Sequence, residues 1–278
     1  MSGPAWEDPR RVLARHGLRP SRRFSQNFLV SEGVVERIAE ALGPAEGERV
    51  VELGPGAGTL TAALLRRGAR VLALEMDRRM LGLLEAELGE EPGLELREGD
   101  AAALDLAELG LAGPVAVCGN LPYAVTGAIF RRLVAQRERV DRAVLMIQRE
   151  VRDRLLAEPG TKAYGALTVF TTAAFAVEPV MLVKPGAFHP PPKVTSAVLR
   201  LRPAPRAEET PAFRAVVSAA FEKRRKTLRN ALGALAPREV LDPAFEAVGI
   251  DPRRRGETLS VEEFAALAAT LEPALDAR

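Results

Sequence analysis

The sequence predicts an α/β fold with a mixed seven-stranded sheet, followed by a small all-α domain. Between about residues 49 and 200, short aliphatic runs alternate with longer helical stretches, the order typical of a sheet covered by helices. A glycine-rich turn follows the first of these runs. Beyond Pro203 only helix caps and helical periodicity are present, so we expect two domains, 1–204 and 205–278.

The composition is that of a soluble globular protein, with 278 residues of which 27% are charged and 47% hydrophobic. No run of about 18 apolar residues is present, and the N-terminus lacks a signal-peptide pattern. We therefore expect a cytoplasmic protein that contacts no membrane. The single cysteine, Cys118, and the two histidines exclude a disulfide framework and a Cys-rich metal site, so no metal is expected.

Seven runs of aliphatic and β-branched residues are predicted as strands, at 49–53, 70–74, 94–98, 115–118, 143–147, 180–184 and 197–201. A helix from Thr59 that ends at Gly68 joins the first two and completes a βαβ unit. A further helix follows the fourth strand, with Thr126 as its predicted N-cap. A proline-rich loop separates the last two strands, so we expect these two to pair antiparallel, which makes the sheet mixed.

Residues 205–278 carry helix-start signals and no strand-like run. Thr210 followed by Pro211 has the order of an N-cap and a first helical residue, and Asp242 followed by Pro243 repeats that order. Ser260 and Glu263 have the spacing of a capping box. These signals predict a small helical domain.

The turn after the first strand reads Gly-Pro-Gly-Ala-Gly, and two carboxylates follow the next two strands. Glycines such as Gly54 and Gly56 let the backbone approach a ligand closely. The spacing is not that of the dinucleotide motif, and no Lys-Ser/Thr pair follows to make a phosphate loop. Glu75 is placed to accept both hydroxyls of a ribose, and Asp100 to accept a hydrogen bond from an adenine amine.

The fourth strand ends in the most specific motif of the chain, Asn120-Leu121-Pro122-Tyr123. The lone pair of an adenine N6 is delocalised into the ring, which makes the nitrogen a weak nucleophile. The Asn120 side-chain oxygen and a backbone carbonyl of the Leu121 and Pro122 turn can accept its two N–H groups. Pro122 fixes the turn and Tyr123 offers a ring face to the base.

This motif resembles the signature of the S-adenosylmethionine-dependent methyltransferases that act on exocyclic amino groups of bases, which have a class I, Rossmann-like fold. Six segments in order make the sequence similar to the small-subunit ribosomal RNA adenine dimethyltransferase family: 24–29, 54–58, 119–123, 148–151, 159–165 and 188–196. The similarity runs from about residue 20 to the end. Ser25 is the one departure, because the family commonly has Gly there.

The resemblance implies that the cofactor is S-adenosylmethionine, with S-adenosylhomocysteine as the product. The donor-binding residues it predicts are Asn27, Leu29, Gly54, Gly56, Glu75, Met76, Asp100 and Asn120. It also implies that Phe188 sandwiches the target base with Tyr123. Without the resemblance, Gln26 and Asn27 are typical of a polar turn and Phe188 of a core aromatic.

The implied reaction gives N6,N6-dimethyladenosine at two adjacent adenosines near the 3′ end of small-subunit (16S) ribosomal RNA, within an immature 30S particle. Family members add two methyl groups to each adenosine. The proton leaves after methylation, so no metal is required. We expect the protein to act as a monomer.

Basic residues gather near both ends of the chain, although the net charge is only +2. Six arginines, Arg22 among them, lie between residues 10 and 23. Near the other end, a cluster predicted to bind RNA phosphates contains Lys223, Arg224, Arg225, Lys226 and Arg229. The alternative is that this cluster is a solvated helix face.

Three other functions compete with this interpretation. The first is a large-subunit ribosomal RNA adenine methyltransferase of the macrolide-resistance type, and a more distant one is a DNA adenine methyltransferase. The third is a ribosome-assembly factor in which methylation is secondary. The sequence keeps every donor-site residue, which argues against a catalytically dead protein but leaves a dual role open.

Overall fold

The computed structural model describes residues 3–21 and 23–276, and the chain divides into two compact units. Unit 1 comprises Met1–Arg152 and Val177–Pro203, and unit 2 comprises Asp153–Ala176 and Ala204–Arg278. The predicted division at residue 204 lies beside the last of these boundaries. The segment Asp153–Ala176, however, packs with unit 2 and not with the first domain, to which the linear division assigned it. Arg22 lies outside the described residues.

Nine strands are present in the described residues: β1 (Phe28–Leu29), β2 (Arg49–Leu53), β3 (Arg70–Glu75), β4 (Leu94–Glu98), β5 (Val115–Asn120), β6 (Val140–Gln148), β7 (Phe175–Val183), β8 (Phe188–His189) and β9 (Ser196–Pro203). β1 and β8 pair antiparallel in a sheet of their own. The other seven form one sheet in the order β4-β3-β2-β5-β6-β9-β7. The first five are parallel, and β9 is antiparallel to β6. The predicted mixed seven-stranded sheet is confirmed.

The helices of the described chain are α1 (Pro9–Arg15), α2 (Glu32–Leu42), α3 (Thr59–Arg66), α4 (Arg78–Leu88), α5 (Thr126–Ala135), α6 (Arg149–Leu155), α7 (Ala166–Ala174), α8 (Pro211–Glu222), α9 (Leu228–Leu232), α10 (Arg238–Ala247) and α11 (Val261–Asp276). Across residues 3–21 and 23–276, none of them combines the length and the apolar character that a membrane span requires.

The central parallel strands bury aliphatic side chains on both faces, which explains their nearly continuous apolar sequences. Val51 of β2 is fully buried and lies opposite Leu72 of β3 and Val117 of β5. Cys118 of β5 is also completely buried, and burial raises the pKa of its thiol well above the usual value. Because the registers match, the carboxyl ends of β2, β3 and β5 meet at one edge of the sheet.

The predicted starts of one strand and one helix are wrong. β7 begins at Phe175 and not at residue 180, directly after α7 ends. Thr126 is the first residue of α5 and not its cap, since Val125 takes the cap position. The Thr126 hydroxyl is buried and donates to the Pro122 carbonyl at 3.3 Å, so tertiary structure uses the side chain differently.

Two predicted helix caps of unit 2 are confirmed. The Thr210 hydroxyl accepts a hydrogen bond from the Phe213 amide at 3.1 Å, which caps α8. At the start of α11 the Ser260 amide donates to Glu263 Oε2 at 2.8 Å, and the Glu263 amide donates to Ser260 Oγ at 3.2 Å. These bonds satisfy amides that have no partner inside the helix.

The third predicted cap is wrong, because Pro243 lies inside α10. The helix begins at Arg238, directly after Pro237. Leu241 and Phe245 are one turn apart, and both are buried in the apolar core of unit 2. The free energy gained by burying Leu241 and Phe245 therefore exceeds the cost of the backbone N–H donor that Pro243 lacks.

Candidate active site

A cavity of about 320 Å³ lies at the edge of unit 1 where the parallel strands end. Every predicted donor-binding residue and the whole predicted base-binding turn line it: Asn27, Leu29, Gly54, Gly56, Glu75, Met76, Asp100, Asn120, Leu121, Pro122 and Tyr123. The structure thus brings together residues that come from five separate parts of the chain. Within the described residues, no group of three or more His, Cys, Asp or Glu side chains is arranged to hold a metal ion.

The glycine-rich turn presents bare backbone to this cavity. Gly54 and Gly56 have φ angles of 67° and 58°, in the left-handed region that favours glycine. A Cβ atom at Gly54 would have no other atom within 4 Å, whereas one at Gly56 would lie 3.0 Å from the Phe28 ring. A side chain at Gly54 would therefore fill space that a ligand can use.

Glu75 is fixed at the end of β3 by backbone amides. Its Oε1 accepts from the Met76 and Asp77 amides, both at 2.9 Å, and its Oε2 accepts from the Gly56 amide at 3.0 Å. Burial raises the pKa of the Glu75 carboxyl, and these three bonds act in the opposite direction. The two carboxylate oxygens have about four acceptor positions, so the group can still bind hydroxyl donors.

Met76 and Asp100 line the same cavity as Glu75. Half of the Met76 surface is exposed, which is unusual for a large apolar side chain and offers an apolar contact for a flat ring. Asp100 Oδ1 accepts from the Ala102 amide at 2.8 Å and caps a short 3₁₀ turn. That bond orients the exposed carboxylate at the end of β4.

The Asn120 side chain is oriented by a backbone group of the residue that precedes β1. Its Nδ2 donates to the main-chain oxygen of Asn27 at 2.9 Å. Because the amide nitrogen is engaged there, the side-chain oxygen is the end that can accept a hydrogen bond from a ligand. The sequence motif predicted an acceptor at this position but not the group that orients it.

The backbone of the turn after Asn120 is held by hydrogen bonds. The Leu121 amide donates to the Met146 carbonyl at 3.0 Å, which fixes the turn to β6. The Pro122 carbonyl accepts from the Val125 amide at 3.2 Å as well as from Thr126. Since the Pro122 carbonyl is used within the protein, Leu121 is the better backbone acceptor for a ligand.

Tyr123 is half-buried, and its hydroxyl lies 2.8 Å from the hydroxyl of Ser196. Ser196 is fully buried at the start of β9, so this contact anchors the far end of the tyrosine ring. Burial raises the pKa of the Tyr123 phenol. The phenol is therefore neutral, and the hydrogen bond between the two hydroxyls holds the ring in place.

The prediction that Phe188 faces the target base opposite Tyr123 is not supported by its position. Phe188 lies in β8, where it pairs with Leu29, and only 4% of its surface is exposed. Its ring belongs to the apolar core of unit 1 and is not among the groups that line the cavity. Burial of a large ring stabilises this arrangement, which agrees with the alternative that Phe188 is a core aromatic.

Sequence reasoning missed Glu52, which lines the cavity although it lies in the middle of an apolar strand. Only 1% of its surface is exposed, and the Thr61 hydroxyl donates to its Oε2 at 2.6 Å. Burial raises the pKa of the Glu52 carboxyl to about 7, and the nearby Glu75 acts in the same direction. A lone carboxylate within the sequence Val-Val-Glu-Leu was the signal that could have identified it.

Gln26, which by its sequence is typical of a polar turn, also lines the cavity. Its Nε2 donates to Asp77 Oδ2 at 2.9 Å, and its Oε1 accepts from the Ser21 amide at 2.8 Å. The Gln26–Asp77 bond joins residues 51 positions apart in the chain. Periodicity and composition carry no signal for such a contact.

The predicted RNA-binding cluster in unit 2 contains one arginine with a structural function. Arg224 Nη2 donates to the carbonyls of Lys162 and Tyr164 at 2.6 and 2.9 Å. Its Nε donates to Glu257 at 2.9 Å. The guanidinium therefore ties together three segments of unit 2, so Arg224 is less suited to phosphate binding than predicted.

The other members of the cluster differ in whether a carboxylate pairs with them. Arg229 Nε lies 2.9 Å from Asp242 Oδ1, which neutralises its charge locally. The side chains of Lys223, Arg225 and Lys226 are exposed and form no ion pair within the described residues. These three cations are the ones that can meet a polyanion.

Comparison with known proteins agrees with this site. Residues 17–272 match the family described as ribosomal RNA adenine dimethylase. The chain is 48% identical over 274 residues to ribosomal RNA small subunit methyltransferase A of Myxococcus xanthus, and the alignment covers 96% of both chains. It is 43% identical over 261 residues to the protein of the same name from Geobacter sulfurreducens, covering 90% of this chain and 95% of that one.

Two solved structures have the same fold over most of the chain. A dimethyladenosine transferase from Plasmodium falciparum gives a TM-score of 0.76 with 25% identity, covering 88% of this chain and 98% of that one. The 23S rRNA methyltransferase ErmE gives a TM-score of 0.65 with 29% identity, covering 88% of this chain and all of that one. The fold is thus that of the Rossmann-like, S-adenosylmethionine-dependent methyltransferases. On the match over residues 17–272 and the identity to full-length relatives, this chain belongs to the ribosomal RNA adenine dimethylase family.

Proposed function

We propose that this protein transfers methyl groups from S-adenosylmethionine to N6 of two adjacent adenosines near the 3′ end of small-subunit ribosomal RNA, giving N6,N6-dimethyladenosines. One observation carries the proposal. In a member of this family, the Asn120 amide is held by Asn27 at 2.9 Å, with its oxygen available in the same cavity as Glu75 and the Gly54 turn. A donor and a base amine can therefore meet there.

The cavity suits the methyl donor for reasons that lie in its own residues. The space beside Gly54 admits a ligand group against bare backbone, and Glu75 offers fixed acceptors to the two ribose hydroxyls. Met76 supplies an apolar contact to the adenine ring and Asp100 an acceptor for its amine. When bound, S-adenosylmethionine supplies a methyl group made electrophilic by the positive charge on sulfur.

The residues after β5 act on the target adenine. Asn120 Oδ1 and the Leu121 carbonyl accept the two N6 hydrogens, which helps to localise the nitrogen lone pair toward the methyl group. Tyr123 stacks on the base. An N6-methyl adenosine has a single N–H, so the second transfer needs only one of the two acceptors.

The wider assignment is also part of this proposal. Unit 1 carries the reaction, and unit 2 contacts RNA through Lys223, Arg225 and Lys226. The substrate is the RNA within an immature 30S particle, and the protein acts as a monomer in the cytoplasm. The names of the relatives, which specify the small subunit, support this choice over the large subunit.

The test uses labelled S-adenosylmethionine with unmethylated small-subunit particles, large-subunit RNA and duplex DNA in separate reactions. The expected result is N6,N6-dimethyladenosine in the small-subunit sample alone, identified by mass spectrometry. Label in large-subunit RNA would instead assign the protein to the function of ErmE, the relative at 29% identity. Label in DNA would refute an RNA substrate.

The catalytic assignment is tested by Asn120→Ala. We expect the variant to bind S-adenosylhomocysteine while its methylation rate falls by a factor of about 100 or more, the effect typical of removing one oriented electrostatic group. Asn230→Ala, which alters an exposed asparagine of α9, is the control and should keep full activity. If wild-type protein binds small subunits tightly but transfers no methyl group, the assembly-factor function replaces the enzyme.

A further inference from the structure

We infer that Gln26 is a positioning residue that couples the donor side of the cavity to Asn120. The inference deepens the proposed function and rests on it. It concerns residues 23–29, here called the wall segment, all of which line the cavity. Three sets of hydrogen bonds along this segment carry the argument.

The first set closes the chain on itself at Gln26. The Gln26 amide donates to the Ser21 carbonyl at 3.2 Å, and Gln26 Oε1 accepts from the Ser21 amide at 2.8 Å. Between these two residues, Ser25 has a φ of 50°, an angle that residues other than glycine adopt only when their surroundings hold them. The conformation of the wall segment thus depends on the backbone amide and the side-chain oxygen of Gln26.

The second set attaches Gln26 to the end of β3. Its Nε2 donates to Asp77 Oδ2 at 2.9 Å, and Asp77 is only 3% exposed. Arg79 donates to both oxygens of Asp77, at 3.0 and 2.6 Å, and the Asp77 amide donates to Glu75 Oε1. Gln26 is therefore fastened to the short peptide that also holds the Glu75 carboxylate.

The third set passes from the next residue to the base-binding turn. The Asn27 carbonyl accepts from Asn120 Nδ2 at 2.9 Å, and Asn27 Nδ2 donates to the Ser25 carbonyl at 3.0 Å. Only one peptide unit separates Gln26 from the carbonyl that orients Asn120. A shift of Gln26 away from Asp77 must move that carbonyl as well.

Loss of the Gln26–Asp77 bond should therefore affect both ligands. Donor affinity falls because the wall segment no longer closes the cavity beside Glu75. The turnover rate at saturating donor also falls, because the Asn120 oxygen is no longer held where the N6 hydrogen needs it. A residue that only shaped the donor site would change affinity and leave that rate intact.

The test begins with Gln26→Met, which keeps the length of the side chain and removes both of its hydrogen bonds. We expect the Kd for S-adenosylhomocysteine, measured by titration calorimetry, to rise about tenfold, the size expected for a lost bond to a charged group. We expect kcat at saturating donor to fall about fivefold or more. The thermal unfolding temperature serves as a check on folding.

Gln136→Met is the matched control. Gln136 is also half-buried, its Oε1 accepts from the Leu106 amide at 2.6 Å and its Nε2 donates to the Leu104 carbonyl at 2.9 Å. Its Nε2 also donates to the Arg132 carbonyl at 3.2 Å, so the variant loses one accepted and two donated bonds, all with neutral backbone groups. Gln136 is not among the residues that line the cavity. The control should leave both Kd and kcat unchanged.

A rescue experiment tests the Gln26–Asp77 bond without relying on a single variant. Gln26→Glu places two carboxylates against each other, while Gln26→Glu combined with Asp77→Asn reverses donor and acceptor and keeps the net charge. We expect the single change to impair both Kd and kcat, and the pair to recover at least half of each loss on a logarithmic scale.

The outcomes separate this inference from the proposed function. If wild-type protein methylates no RNA, the proposed function fails. If wild-type protein is active and Gln26→Met raises Kd but keeps full kcat at saturating donor, the coupling to Asn120 is refuted. Wild-type values of both Kd and kcat in Gln26→Met, when it folds as the wild type does, also refute the inference.

Discussion

At the scale of single residues, Glu52 has the most unusual environment. Its carboxyl is fully buried in β2, where burial raises its pKa from the ordinary value of 4.5 to about 7. The folded state therefore binds a proton between these two pH values, and the unfolded state does not. Stability is full below the unfolded pKa and declines as the pH rises through the folded pKa.

We predict that unit 1 loses up to about 3 kcal/mol of stability between about pH 5 and pH 8, and that Glu52→Gln removes most of this loss. The glutamine keeps an acceptor for the Thr61 hydroxyl but cannot ionise. Urea unfolding followed by the fluorescence of Trp6, the single tryptophan, measures unit 1, because Trp6 packs against its core.

Glu98→Gln is the control for this prediction. Glu98 ends β4, which β3 separates from β2, is exposed, and pairs with Arg78 at 2.8 Å. Its substitution should leave the pH dependence of stability as in the wild type. Equal pH dependence in Glu52→Gln and the wild type would show that another group is responsible.

Position in sequence explains which site residues could be predicted. Glu75 and Asn120 end β3 and β5, the two strands that flank β2 in parallel, so strand prediction alone brings them to one edge of the sheet. The Gln26–Asp77 contact joins residues 51 positions apart, and the burial of Phe188 depends on how β1 and β8 pair. No local pattern specifies either. Glu52 was not predicted as a site residue, because the aliphatic residues beside it indicate only a buried strand.

At the scale of helices and strands, local signals succeeded where a side chain acts on its own backbone. Thr210, Ser260 and Glu263 cap helices as predicted, because capping needs only neighbouring amides. Thr126 and Pro243 failed because burial against distant residues decided their positions. Most of the predicted strands of unit 1 were recovered because they are short aliphatic runs, while β4 alternates leucine with charged residues. β7 begins five residues earlier than predicted, at Phe175.

We predict that Thr210→Ala destabilises α8 by about 1 kcal/mol, since the Phe213 amide loses its partner. Hydrogen exchange of α8, measured by mass spectrometry, should accelerate about fivefold. The matched control is Thr227→Ala, because Thr227 holds the same cap position in α9 but makes no side-chain cap bond. An equal effect of both substitutions would mean that the hydroxyl bond does not stabilise α8.

At the scale of the whole molecule, the net charge of +2 conceals an uneven distribution. Most of the ion-paired arginines in the described residues lie within 3 Å of a carboxylate oxygen, as Arg224 and Arg229 do. Lys223, Arg225 and Lys226 are different, since they are exposed and unpaired among the described residues. Affinity for RNA should therefore depend on a few cations and not on the total.

We predict that replacing Lys223, Arg225 and Lys226 together by alanine weakens binding to small-subunit RNA and lowers the slope of log K against log salt by about two to three. Filter binding over a range of salt concentrations measures both. Replacing the exposed Arg131, Arg132 and Arg139 in the same way is the control and should leave the slope unchanged.

Arg224→Ala provides the contrast within the same cluster. Its guanidinium holds the carbonyls of Lys162 and Tyr164, so the substitution should lower the stability of unit 2 and change the salt slope by less than about one. If Arg224→Ala lowered the slope of log K against log salt by a full unit and left stability unchanged, Arg224 would be a residue that binds RNA phosphate.

The single cysteine has a practical consequence for work on this protein. Cys118 is completely buried in β5, two residues before Asn120, and its raised pKa keeps it as an unreactive thiol in the folded state. A maleimide can attack only when β5 opens, so its rate of attachment reports how often the catalytic strand leaves the sheet. A cysteine introduced on the surface will react first, so a dye can be attached there without removing the native thiol.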